Sequence, residues 1–211
     1  MSENQQGRQV APDIEPDQWP PLSCGMPLLT FDPSENWATL VLNVGFTKGL
    51  PTDYKAASFS KSFVRLTEVA ATQYNEAREI FHQFLESGSS KAFALPLVVN
   101  HLEQCILALR RAIRFAKHPK GLQLPEHPVT SIDVDTRIRQ FRNAIEHTDE
   151  RITSGKISKG DANMLQPKSD RMELCGEAIL YVELADWLQQ LHRLARQVAA
   201  YNPSRAARPQ P

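Results

Sequence analysis

The chain has 211 residues, with 24 Lys and Arg against 24 Asp and Glu. That length suits one domain with a sizeable core. It contains no apolar run near the ~20 residues needed to cross a bilayer and no signal-peptide pattern at its N-terminus, so a cytoplasmic location with no membrane partner is expected. Overall neutrality argues against coating nucleic acid by bulk charge, although a local phosphate site stays open.

In chain order, residues 1–27 hold five of the fifteen prolines and read as a disordered tail, as do residues 203–211 with three more. A single helical domain is expected between them, over 28–202. The run Trp37–Phe46 is apolar and partly β-branched, and leaves a short strand and a packed segment equally open. The first helix is expected from Thr52 or Asp53 to Glu86, with Phe59, Phe63, Leu66, Ala70, Ala77, Phe81 and Phe84 in three- and four-residue steps. Gly88 suits the position that ends it.

A second helix is expected from about Lys91 to Lys117, with Leu102, Cys105 or Ile106, Leu109, Ile113 and Ala116 along one side. A Pro-rich linker runs from Pro119 to Pro128. A third helix begins near Ser131 or Asp133, either of which can cap it. Its inward stripe is Ile138, Phe141, Ile145, Thr148 and Ile152. After a polar loop, Met172–Tyr181 reads either as the start of the last helix or as a small hairpin turning at Gly176-Glu177. The hairpin is favoured because extending the helical stripe backwards puts Glu177 in the core. The last helix carries Leu184, Leu188, Leu191, Ala195 and Val198 and ends near Tyr201. The fold class expected is mainly α, a four-helix bundle with one small β-hairpin before the last helix.

Cys24, Cys105 and Cys175 are odd in number and widely spaced, which gives neither a disulfide framework nor a zinc motif. No Gly-rich phosphate loop follows a strand. No metal site and no cofactor is expected. His82, His101, His118, His127 and His192 have no partner at metal-ligand spacing and read as surface or satisfied core histidines.

One stretch carries more chemistry than the rest: Arg142-Asn143-Ala144-Ile145-Glu146-His147-Thr148-Asp149-Glu150-Arg151. At about 100° per residue, Asn143, Glu146, His147 and Glu150 fall opposite Phe141, with Arg139 and Arg142 at the margin. Asn143 and His147 are an i, i+4 pair able to share a ligand. Arg142 lies about 140° round from His147, so a second subunit or an overlying chain is needed to bring both to one group. A solvated face laced with pairs such as Arg142–Glu146 and His147–Arg151 explains the same residues without any activity.

The stretch resembles the Arg-x4–6-His motif of the HEPN family, with Asn143 directly after Arg142. Glu146-His147 followed by Asp149-Glu150-Arg151 is similar to a prokaryotic branch with an EHxDER continuation. The resemblance spans the motif and the helical layout, about Asp53 to Tyr201. It implies a metal-independent endoribonuclease acting as a homodimer, and a toxin or defence role with an antitoxin or other protein partner. The family also has inactive members, so a silent helical module that binds RNA or a protein is the alternative. On the family reading, His147 is the general acid or base, since histidine titrates near ~6.5. Arg142 stabilises the phosphate, and Asn143 orients either one.

Charge is segregated although the total vanishes. Residues 1–60 hold seven acids and three bases, while 104–125 hold Arg110, Arg111, Arg114, Lys117 and Lys120 with no acid. Cations near a helix C-terminus are favoured by the macrodipole, which accounts for much of the cluster. The functional reading makes Arg110, Arg111, Arg114 and Arg139 an RNA-binding surface beside the motif. No aromatic interleaving suggests a base-stacking platform.

Overall fold

A computed structural model describes residues 24–39, 54–87, 94–118, 127–155 and 164–200. Helix α1, Tyr54–Glu86, and helix α2, Ala94–Ala116, pack along each other as the two largest elements. Their contact follows from the apolar stripes. Phe63, Leu66, Ala70, Tyr74, Ala77 and Phe81 of α1 are buried, and so are Leu102, Cys105, Ile106, Leu109, Ile113 and Ala116 of α2. Pro96 is the third residue of α2, where its missing amide removes no helical bond.

A 3-10 turn, Pro128–Thr130, leads into α3, Ile132–Glu146. Ser131 caps α3, its hydroxyl accepting from the Val134 amide at 3.4 Å, and Asp133 and Asp135 complement the helix dipole. Helix α3 lies against α2 through Ile138, Phe141 and Ala144. A short α4, Thr148–Thr153, follows after one residue. The expectation of one continuous third helix through Ile152 is therefore corrected. His147 breaks it at φ −118° and ψ 26°, and the Thr148 hydroxyl donates to the Ala144 carbonyl at 2.6 Å. Such back-bonding bends helices, and Ile152 is exposed rather than inward.

The hairpin is present but has a third strand. Strands β1 (Gln166–Pro167), β2 (Arg171–Leu174) and β3 (Glu177–Leu180) form an antiparallel sheet in that order. Arg171 pairs with Leu180 and Leu174 with Glu177. The turn falls on Cys175 and Gly176, one residue earlier than expected. Both have positive φ, 51° and 81°, the signature of a type I′ hairpin. Met172, Leu174 and Ile179 face inward, in the alternation a half-buried sheet requires.

Helix α5, Tyr181–Ala200, starts directly from β3 and packs on α1, burying Leu184, Leu188, Leu191, Ala195 and Val198. Arg137 of α3 forks onto Glu183 of α5 at 2.8 and 2.9 Å and sits over the Trp187 ring at 5.4 Å. This holds α3 to the last helix.

The stretch expected to hang loose through residue 27 is packed from Cys24 onward. Met26 is buried, and main-chain groups of Gly25, Met26 and Pro27 bond to Ser169, Arg78 and Tyr74 at 2.6, 3.0 and 3.0 Å. A Cβ on Gly25 would sit 2.5 Å from the Ser169 carbonyl oxygen, so only glycine fits there. Residues 35–39 form a helical turn. The strand-or-packed alternative for Leu40–Phe46, the tails at 1–23 and 203–211, and the Gly88 stop lie outside the described residues. Among the described residues no helix is long and apolar enough to cross a membrane.

Candidate phosphate-binding site

Arg110, Arg111 and Arg114 occupy the last turns of α2. Arg139, Arg142, Asn143 and Glu146 recur on α3 at steps of three, one and three, which puts them on one face away from Ile138 and Phe141. Because α3 lies against α2, the two sets converge. Together with Leu107 they line a cleft of about 150 Å³. All four arginines expected to bind RNA, and Arg142 and Asn143 of the motif, are thus in one place.

The cleft has an excess of fixed positive charge. Among the described residues its lining holds five guanidinium groups and one carboxylate, Glu146. Arg142 is partly buried, ion-paired to Glu146, and donates through Nη1 to Asn143 Oδ1 at 3.1 Å. Arg110 meets Asp135 Oδ1 at 2.7 Å in an ion pair not aligned as a hydrogen bond, and Asp135 also takes Lys117 Nζ at 3.2 Å. Burial pushes the Arg110 pKa down. Asp135 opposes that shift, while the neighbouring cations Arg114, Arg139 and Arg142 add to it. Arginine keeps its proton regardless, so the repulsion stays until an anion enters. Planar guanidinium forks match phosphate oxygens, which makes a phosphate ester the best-fitting occupant.

His147 does not line this cleft. It sits at the α3–α4 joint, half exposed, with Nδ1 at 3.3 Å from Glu150 Oε2. The expected Asn143–His147 pair is replaced by Asn143–Arg142, and the His147–Arg151 pair by His147–Glu150. The Arg142–Glu146 pair is present. Within one chain, then, the residues expected to hold phosphate cluster and the candidate acid or base stands outside them.

Sequence reasoning missed two groups. The rings of Phe59 on α1 and Phe115 on α2 meet beside Arg111 and Arg114. Phe115 stands inside the basic run of the sequence, whereas Phe59 belongs by spacing to the apolar stripe of α1. The second group is a buried polar cluster, Asn36 with His192, for which sequence gave no signal beyond a histidine inside a helical stripe. All three cysteines are unbridged. Burial pushes the Cys105 thiol pKa far up, which disfavours the reactive thiolate. Among the described residues, no group of three His, Cys, Asp or Glu is placed to hold a metal ion.

Comparison of the chain with protein-family models, with curated proteins and with solved structures finds no match.

Proposed function

We propose that this protein is a HEPN-like endoribonuclease, built on a bundle of α1, α2, α3 and α5, that holds an RNA phosphate in the arginine cleft and cuts without a metal. The observation that carries the reading is the convergence of Arg110, Arg111, Arg114, Arg139 and Arg142 on one recess with Asn143. RNA supplies its own nucleophile. The 2′-hydroxyl attacks the adjacent phosphorus, the 5′-oxygen leaves, and a cyclic phosphate results. The protein then has to move two protons and stabilise charge on the phosphate oxygens.

Arg142, steadied by Glu146 and Asn143, is suited to the second task. The exposed His147 is suited to the first when a two-fold axis sets it beside the cleft of a second copy. A toxin or defence role, with an antitoxin or other protein partner, belongs to the same reading.

A second reading is favoured by one contact. His147 pairs with Glu150 outside the cleft, as a surface residue of an RNA-binding module without cleavage would. The two readings part in one experiment. Wild type, His147→Ala and Arg142→Ala are compared on mixed RNA in chelator, with light scattering for oligomeric state. Cleavage by a wild-type dimer, lost in both variants, is the expected result. Equal cleavage by all three proteins marks a contaminant and overturns the enzyme. RNA binding by a monomer without cleavage leaves the binding module.

A further inference from the structure

Next to the arginine cleft lies a second recess of about 300 Å³, lined by Phe59, Arg111, Arg114, Phe115 and His118. It differs from the cleft in character. Phe59 meets Phe115 edge-on with ring centres 5.5 Å apart, and stacks on His118 at 4.4 Å with an angle of 28° between the rings. Phe59 and Phe115 are partly exposed, Phe115 also packing against the core, and His118 is exposed, so each ring keeps part of its surface toward the recess. Arg111 and Arg114 line both recesses. A surface that changes from guanidinium to aromatic across two shared arginines matches a nucleotide, which is anionic at one end and a flat ring at the other.

The geometry points to a base-docking subsite: one unpaired RNA base seats against Phe59, Phe115 and His118, with its adjoining phosphates on Arg111, Arg114 and the cleft beyond. This rests on the reading of the cleft as an RNA phosphate site. A base in a duplex is paired and stacked on its neighbours, so only an unpaired nucleotide can enter such a recess. Phosphate contacts by themselves do not tell single from double strands, whereas a ring pocket does. The subsite therefore makes single-stranded segments the preferred ligand. It is tolerant of sequence, because every base has a π-face and, among the described residues, no side-chain amide or carboxylate lines the recess.

The test measures binding of a fluorescent single-stranded RNA of about ten nucleotides, within the span of a single-strand site, and of the same sequence as a duplex. All proteins carry His147→Ala so that the probe stays intact. Phe59→Ala and His118→Ala are each expected to weaken single-strand binding about tenfold and to leave duplex binding unchanged, while Phe59→Tyr retains it. Arg139→Ala weakens both ligands.

His118 is exposed, so its variant is a second test beside Phe59→Ala, and circular dichroism monitors folding in both. If the parent binds both RNAs and neither aromatic variant discriminates between them, the base subsite is overturned while the phosphate cleft stands. If the parent binds no RNA at all, the reading of the cleft fails first and the subsite with it.

Discussion

Two regions of the molecule handle charge in opposite ways. The segment 24–39 is fastened to α1 and α5 by polar groups that are matched to one another. Asn36, 1% exposed, donates through Nδ2 to both His192 Nδ1 and the His192 carbonyl at 3.1 Å. Arg196 grips Glu35 at 2.6 and 2.8 Å, Phe31 stacks on the His192 ring at 3.8 Å, and Glu68 accepts from the Trp37 amide. In the arginine cleft five cations face one lining carboxylate. The first region uses most of its polar groups in folding, with His192 Nε2 left unbonded 4.0 Å from Glu35 Oε2, and the second leaves charge over for something else. Unmatched like charges weaken the structure that holds them, so a cleft of this kind makes sense as a place for an anionic ligand.

The largest expected effect would break the comparison if it went the wrong way. Arg139→Ala with Arg142→Ala removes two charge-assisted contacts. RNA affinity should fall by about a hundredfold, or ~3 kcal/mol at ~1.5 kcal/mol for each contact to a charged group. The slope of log affinity against log salt should flatten by about 1.4 for two phosphates of a single strand. Thermal stability should hold or rise, since repulsion around Arg110 is relieved. A double variant that loses stability and keeps its RNA affinity would make these arginines structural, like those of the anchored segment.

Asn36→Ala is the mirror experiment. It strips the partner from a buried ring nitrogen and a carbonyl, at a cost of about 2 kcal/mol in stability, and should leave RNA affinity unchanged. The same contact predicts an acid dependence. The Asn36 amide is oriented by the His192 carbonyl, so His192 Nδ1 must be the acceptor and the ring neutral, with its proton on Nε2. Burial pushes the His192 pKa down and Arg196 adds to that, while Glu35 and Asp32 oppose it. Below pH ~6.5 the unfolded chain takes up a proton that the folded one resists, so stability falls with acid. Chemical denaturation from pH 7.5 to 5.5 checks this: wild type loses stability over the range, and His192→Gln flattens the loss.

Much of this contrast was beyond reach from sequence, for reasons that differ by element. Periodic stripes predict α1, α2 and α5 because burying an apolar face is a local pattern with a global consequence. Ser131 as a cap and the hairpin before α5 follow from equally local chemistry. Strand β1, two residues long and containing Pro167, is defined only by what pairs with it. The inward stripe of the third helix continues on paper through Thr148 and Ile152, yet the Thr148 hydroxyl bonds back to Ala144, the helix ends at His147, and Ile152 is exposed. The arginines were legible as a charge run, but their meeting with Arg139 and Arg142 required the packing of α3 on α2. Asn36 and His192 are 156 residues apart, and nothing local announces either one.

A smaller effect sharpens the comparison further. Glu68 sits on α1 under the turn at 35–39, where its carboxylate takes the Trp37 amide, one of the donors a helical turn leaves without a partner. Burial pushes its pKa up to about 7; the amides of Trp37 and Asn36 pull the other way and Asp32 adds to the rise. The group thus binds its proton more tightly folded than unfolded. Its contribution to stability is full below its unfolded value of about 4.5, declines as pH rises toward 7, and is lost above that. Glu68→Gln keeps the accepting oxygen and removes the charge. At pH 8 the variant should be more stable than wild type by ~1 kcal/mol, after discounting the shift for solvent screening. Near pH 4.5 the two should coincide. The sign is opposite to that of His192, so the anchored segment should be held best between the two limits, near neutral or mildly acid pH. A Glu68→Gln variant that is less stable than wild type at pH 8 would mean that the ionised carboxylate itself holds the turn, and that the anchor depends on charge as the cleft does.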